Sequence, residues 1–202
     1  MLESNSTVMI PDLSNEHFVA EAQAYFDKRM RFNPDRKPDF FYRGAPVYMF
    51  GDGEQKSYIF LVENGEVIYL LKYHKVRYSG VKLGRQVLVV RARMTTATNQ
   101  FARHVFFKIL LPKYGALIAD KQQTKFGRNF WEHAITDAIN QNLHVYFLDR
   151  RSAPNVLHEI KSDSDVEKFS PDIWGNSKGH ELTFAVISQT KLHLISRKSK
   201  KK

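Results

Sequence analysis

The chain contains no cysteine. Disulfides, thiolate metal sites and thiol nucleophiles are therefore excluded, and the composition fits a reducing compartment. Long apolar runs are also missing. No segment approaches the roughly 18 apolar residues of a membrane span, so no membrane partner is expected. Met1 to Pro11 lacks the charged start and apolar core of a signal peptide, which makes the cytoplasm the default location. Acidic residues are scarce: 21 Asp and Glu stand against 31 Lys and Arg, for a net charge of +10. There is no Gly-x-Ser-x-Gly, no phosphate loop and no Gly-x-Gly-x-x-Gly. The 8 histidines are scattered, with no i,i+4 pair. Glu132 and His133 are adjacent on a helix and diverge by about 100°. No metal site is expected.

What is present is a core. Hydrophobic residues make up 43% of the chain, with 15 Phe and 9 Tyr, too many for a disordered polymer. A length of 202 residues suits one domain with a small appendage. Residues 1–50 read as an N-terminal helix and extension, 51–190 as an α/β domain, and 191–202 as a basic tail. The tail holds Lys191, Arg197, Lys198, Lys200, Lys201 and Lys202 and no acid, so six of the ten excess charges lie there.

Asp12 to Asn15 offers helix caps, and Phe18, Ala22, Tyr25, Phe26 and Met30 form one stripe, predicting a helix from Glu16 to Met30. Phe40 to Phe50 is ambiguous: Gly44-Ala45-Pro46 reads as a turn and Val47 to Phe50 as a candidate strand. Ser57 to Val62 and Glu66 to Tyr73 flank Glu63-Asn64-Gly65, a strong hairpin signal. A second turn follows at Ser79-Gly80. Arg85 to Arg91 holds a continuous apolar run, Val87 to Val90, which predicts a central strand covered on both faces and flanked by Ala116 to Ala119. A crossover helix is predicted from Thr98 to Leu111, stopped by Pro112, with Ala102, Val105, Phe106, Ile109 and Leu110 buried. A further helix, Gly127 to Asn140, buries Phe130, Trp131, Ala134, Ile135, Ala138 and Ile139. His144 to Leu148 is the next strand, Arg150 to Asn155 a loop, Asp163 to Phe169 a short helix, and Glu181 to Gln189 an alternating closing strand. The fold class is α/β, leaning to α+β, with a mixed central sheet.

The polar run Asp120-Lys121-Gln122-Gln123-Thr124 falls where the strand Ala116 to Ala119 ends. Ligands of open α/β sheets bind beyond carboxyl ends of strands, so this run is the first candidate site. Asp120 reads as a base or substrate anchor, with Gln123 beside it. Both also suit capping of the following helix, and that reading is preferred. Tyr146 lies in a Val-Tyr-Phe run, which favours a core role.

The order of hairpin, buried strand, helix, strand, helix, strand and final strand, over Ser57 to Gln189, resembles the acetyltransferase-like fold of the GNAT superfamily. Ala119 to Thr124, with Gly127, Trp131 and the strand His144 to Asp149, resembles small acetyltransferase-like proteins of tailed bacteriophages. The resemblance implies a viral protein of the host cytoplasm or the virion, and acyl transfer with acyl-coenzyme A as cofactor. By the same resemblance Arg91, Arg93 and the amides around Thr96, Thr98 and Asn99 would hold the pyrophosphate. Asp120, Gln122 and Gln123 would face the acceptor, and Tyr146 would be a candidate acid. The superfamily follows its central strand with an Arg/Gln-x-x-Gly-x-Gly/Ala turn. Here Arg91-Ala92-Arg93-Met94-Thr95-Thr96-Ala97-Thr98 stands instead, and no glycine occurs between Gly84 and Gly115. Without glycine, backbone amides approach a pyrophosphate less closely, so acyl-coenzyme A binding is expected to be weak or absent. Whether the chain is an enzyme stays open on the sequence.

The alternative is a non-enzymatic protein that engages nucleic acid or a host or virion protein. Tyr73, Lys75 and Arg77 share one face of a strand, a pattern suited to a phosphate backbone with one stacking ring. The competing reading is a solvated edge guarded by lysines. Lys198, Lys200, Lys201 and Lys202 can neutralise phosphates without reading bases, and most nucleic-acid affinity is expected in the tail. Oligomeric state is not encoded in any motif.

Overall fold

The computed structural model describes residues 16–52, 56–78, 81–91, 100–119, 125–151, 155–174 and 182–193. The fold is mixed α/β around one nine-stranded sheet. Its strands are β1 (Phe40–Tyr42), β2 (Ala45–Asp52), β3 (Lys56–Glu63), β4 (Glu66–Tyr78), β5 (Val81–Arg91), β6 (Ala116–Ile118), β7 (His144–Asp149), β8 (Val156–Ile160) and β9 (Thr183–Ser188). They lie in the order β1-β2-β3-β4-β5-β6-β9-β7-β8. β5 and β6 form a parallel pair, and every other described neighbour is antiparallel.

The hairpin signals act as read. Asn64 and Gly65 join β3 to β4 with φ of 53° and 83°, the positive pair that a two-residue turn requires. The β1–β2 turn differs from expectation. Arg43 and Gly44 take the positive φ values, 50° and 82°, and Ala45 and Pro46 already belong to β2. Pro46 is tolerated there because it is the second residue of β2 and precedes the β2–β3 ladder, which begins at Val47↔Leu61.

α1 (Glu16–Phe32) lies on one face of the sheet. Ala22 and Phe26 pack with Phe50, Phe60, Val62, Val67 and Leu70, as the predicted stripe requires. Gln23 ties the helix to the hairpin: its Oε1 accepts from the Val67 N–H at 2.7 Å.

The crossover helix consists of α2 (Phe101–His104), a π-helical stretch (Val105–Leu110) and α3 (Leu111–Tyr114). Pro112 does not stop it. A proline inside an α-helix collides with the carbonyl four residues back. The wider π-helical turn precedes it, with the Leu111 N–H bonded to the Phe106 carbonyl, five residues back. The helix ends at Gly115, φ 72°. α4 (Lys125–Asn140) packs beside it, with Trp131, Ala134, Ile135 and Ala138 buried as predicted. Trp131 is 2% exposed, and its ring meets that of Phe106 edge-on at 5.2 Å. α5 (Asp163–Ile173) begins at a capping box: the Asp165 N–H donates to Ser162, and the Asp165 carboxylate accepts from the Ser162 N–H. It runs past the predicted Phe169.

Two strands depart from the sequence reading. β9 is not an alternating, half-exposed closing strand. All six of its residues are buried, because it is inserted between β6 and β7. Phe184 and Val186 face one cluster, with Tyr146 and Ile118, while Ala185 and Ile187 face the helices. β8 was not anticipated. It follows the loop at residue 155 and pairs with β7 from Asp149↔Val156 to Val145↔Ile160.

Candidate functional site

The site is built where β5, β6 and β7 end. β6 is parallel to β5, and β9 is antiparallel to both β6 and β7, so the carboxyl ends of β5, β6 and β7 point the same way. β6 lies beside β5 as predicted, but not beside Val87 to Val90. The ladder joins Gly84↔Leu117 and Arg85↔Ile118 and then ends. β5 continues from Gln86 to Arg91, paired with β4. On its other edge β6 pairs with β9, and the Ala119 N–H donates to the Ala185 carbonyl at 2.9 Å.

Gly84 explains where β5 and β6 meet. A Cβ at that position would lie 2.6 Å from Leu117 Cδ2 and 2.7 Å from Tyr114 Cδ2. Only a residue without a side chain admits the end of the crossover helix and the start of β6 this close. Val87 to Val90 carry side chains and sit beyond this contact.

The N-terminus of the crossover helix closes the other side. Phe101 is buried, with its ring 5.1 Å from Tyr69 and 5.2 Å from Tyr42. Tyr69 is the ladder partner of Arg91, the last residue of β5, so this helix end stands over the end of β5. The side chain of Gln100, at φ 58°, accepts no helix N–H as a cap, and no acidic residue occupies the first turn. Amides of such a turn carry partial positive charge. His104 follows, its ring 4.8 Å from that of Tyr42. Burial first, then the charge of Lys108, lowers its pKa below the ordinary value of 6.5, so the imidazole is neutral at pH 7. The sequence reading assigned His104 no role.

Of the predicted cofactor residues, Arg91 ends β5, while Arg93, Thr96, Thr98 and Asn99 lie outside the described residues. Asp120, Gln122 and Gln123 also lie outside them, as do Lys198, Lys200, Lys201 and Lys202. Tyr146 is a core residue, as preferred. It is 3% exposed, and its hydroxyl accepts from the Leu192 N–H at 3.0 Å. It sits among Ile118, Leu148 and Phe184, on the face of the sheet away from the crossover helix. The stacking role of Tyr73 is corrected. The ring is 1% exposed and packs edge-on against Tyr114 at 5.8 Å. Its hydroxyl accepts from Lys113 Nζ at 3.3 Å. The crossover helix covers this part of β4, which the sequence alone did not reveal. Lys75 and Arg77, further along, are half-buried and exposed.

A second polar cluster lies at the end of β7. The Arg151 guanidinium bridges Asp149, at 2.7 Å, and Asp172, at 2.6 Å. Hydrogen bonds from Arg151 hold the Asp149 carboxyl below its ordinary range. The Thr183 hydroxyl donates to the Asp172 carbonyl. This arrangement fastens the end of α5 to β7 and β9, and both carboxylates are already satisfied by one cation. Among the described residues no group of His, Asp and Glu side chains is placed to hold a metal ion. No described helix is long and apolar enough to cross a membrane.

No protein-family model matches this sequence, and comparison with curated proteins gives no match.

Proposed function

We propose that this chain is an acetyltransferase-like protein of the kind found in tailed bacteriophages, and that its ligand site is the opening between β5 and β6. The observation that carries this reading is the short parallel ladder, limited among the described residues to Gly84↔Leu117 and Arg85↔Ile118. In the superfamily that the element order resembles, the cofactor is seated where these two strands splay. The crossover helix adds support, since its first turn has neither a side-chain cap from Gln100 nor an acid to repel an anion. The chemistry of such a site is binding of an acyl-coenzyme A-type ligand by its pyrophosphate. By the resemblance, Arg91 and Arg93 would supply charge, and Asp120, Gln122 and Gln123 would be the residues toward the acceptor.

The missing glycines bear on strength rather than place. Amides flanked by side chains approach a pyrophosphate less closely, so affinity is low. The test is thermal unfolding with acetyl-coenzyme A. A ligand that binds only the native state raises Tm as its concentration passes Kd. A concentration-dependent rise at millimolar ligand is expected. No rise at any concentration would leave the opening without this ligand and overturn the reading.

A further inference from the structure

On the face of the sheet covered by the crossover helix, the apolar rows give way to a polar one. Val47, Leu61 and Tyr69 form one cross-strand row of the core, and Met49, Ile59 and Leu71 form the next. The row after it is Gly51, Ser57 and Tyr73, paired through Gly51↔Ser57 and Ser57↔Tyr73. Directly opposed residues of an antiparallel pair share a face, so Ser57 stands between Tyr73 and a position without a side chain. A Cβ on Gly51 would meet no atom within 4 Å among the described residues, which leaves this end of the row open.

Hydroxyl and ammonium groups gather beside it. The Tyr114 hydroxyl is hydrogen-bonded to those of Tyr73 and Ser57. Lys113 Nζ donates to the Tyr73 hydroxyl at 3.3 Å and lies 5.8 Å from the centre of the Tyr114 ring. Lys75 comes two residues after Tyr73 on β4 and so shares its face. Its ladder partner is Gly84, against which the Tyr114 ring is packed, so both lysines stand beside Tyr114. No Asp or Glu occurs from Val67 to Ala119, and neither lysine has an ion pair among the described residues. Ammonium groups only donate, and each hydroxyl brings a proton with its oxygen, so the cluster holds more donors than acceptors. Burial first, then the neighbouring Tyr73, pushes the Tyr114 pKa up to about 12, and its proton stays on at neutral pH.

We propose that Ser57, Lys75, Lys113 and Tyr114 bind the phosphate group of a phosphate monoester. Near pH 7 such a group carries close to two negative charges and three acceptor oxygens. Two ammonium groups match the charge, and the Ser57 and Tyr114 hydroxyls match the oxygens. A carboxylate would bring one charge to two cations. Tyr73, 1% exposed, is a positioning residue that holds Lys113 and Tyr114. The open end at Gly51 leaves room for the organic part of the ester. The site is separate from the opening between β5 and β6, since Gly84 and Arg91 lie about 23 Å apart along β5.

The experiment is calorimetric titration of the full chain at pH 7 and constant ionic strength with phenyl phosphate, inorganic phosphate and benzoate. None of these probes carries a pyrophosphate, so the outcome does not depend on acyl-coenzyme A. Phenyl phosphate is expected to bind with a Kd of about 1 mM or tighter, and benzoate at least about tenfold more weakly. Lys75→Gln combined with Lys113→Gln should weaken phenyl phosphate at least about tenfold, and Tyr114→Phe, which keeps the ring over Gly84, at least about threefold. Lys28→Gln combined with Lys37→Gln removes the same charge at exposed sites on α1 and in the loop before β1, and should change affinity less than about twofold. Unchanged Tm of each variant without ligand verifies folding. Equal losses in the two lysine pairs would mean that net charge alone attracts the anion, and would overturn the proposal. So would neither heat nor a rise in Tm with phenyl phosphate. Inorganic phosphate binding as tightly as phenyl phosphate would overturn the assignment to an ester.

Discussion

Gly84 and Leu117 face each other across the short parallel ladder between β5 and β6, and a Cβ on Gly84 would stand 2.6 Å from Leu117 Cδ2. The contact sets where the two strands meet. Gly84→Val should destabilise the fold by about 1–3 kcal/mol, because Leu117 can turn aside but the Tyr114 ring, also at the contact, is held by Tyr73. Urea denaturation measures this. A variant as stable as the parent would show that the two strands approach less closely.

Trp131 should be a stability residue. It is buried against Phe106 and Phe130, between the crossover helix and α4. Trp131→Ala should cost about 3–5 kcal/mol in denaturant titration. A loss well under about 1 kcal/mol would place the side chain at the surface and open a ligand-stacking role for it.

Acyl-coenzyme A should bind weakly. Calorimetric titration is expected to give a Kd weaker than about micromolar. Micromolar or tighter binding would mean that the backbone around Thr95 to Thr98 holds pyrophosphate without glycine.

The Asp149–Arg151–Asp172 cluster should add stability that depends on pH. The Asp149 carboxyl is held below its ordinary value of 3.8, mainly by hydrogen bonds from Arg151. A lowered carboxylate stabilises the fold fully above that ordinary value and loses the contribution as pH falls through the folded one. Arg151→Ala should therefore cost about 1 kcal/mol at pH 7. The gap between parent and variant should narrow in acid below the ordinary carboxylate range. A gap that is the same at pH 7 and in strong acid would assign the loss to packing of the Arg151 side chain instead.

Deleting Arg197 to Lys202 removes five cations and no acid. Salt-dependent retention on DNA should flatten markedly, because flexible lysines release counterions without reading bases. Tm should be unchanged, since a polar tail contributes little to a core. Residual, salt-sensitive retention is the share expected from the strand face of Lys75 and Arg77. A slope unaltered by the deletion would move the whole attraction onto the folded domain.

Periodicity and turn chemistry decided most of the elements on their own. The stripe of Ala22 and Phe26, the Asn64-Gly65 turn, the apolar run of β5 and the buried face around Trp131 are local patterns, because helix and strand periods are properties of a few neighbouring residues. The caps of α5 were likewise legible in Ser162 to Asp165. Tertiary structure alone decided what depends on contact between distant residues. β9 is buried on both faces because it inserts between β6 and β7, which six residues of sequence cannot announce. Pro112 continues a helix because a π-helical turn before it moves the obstructing carbonyl aside. Tyr73 was read as a surface ring and lies under Lys113 and Tyr114, since the crossover helix returns over β4. The register of the β5–β6 ladder was not visible in sequence. Its position is set by Gly84, where a missing side chain lets one remote turn approach, and spatial approach of that kind leaves no period to read.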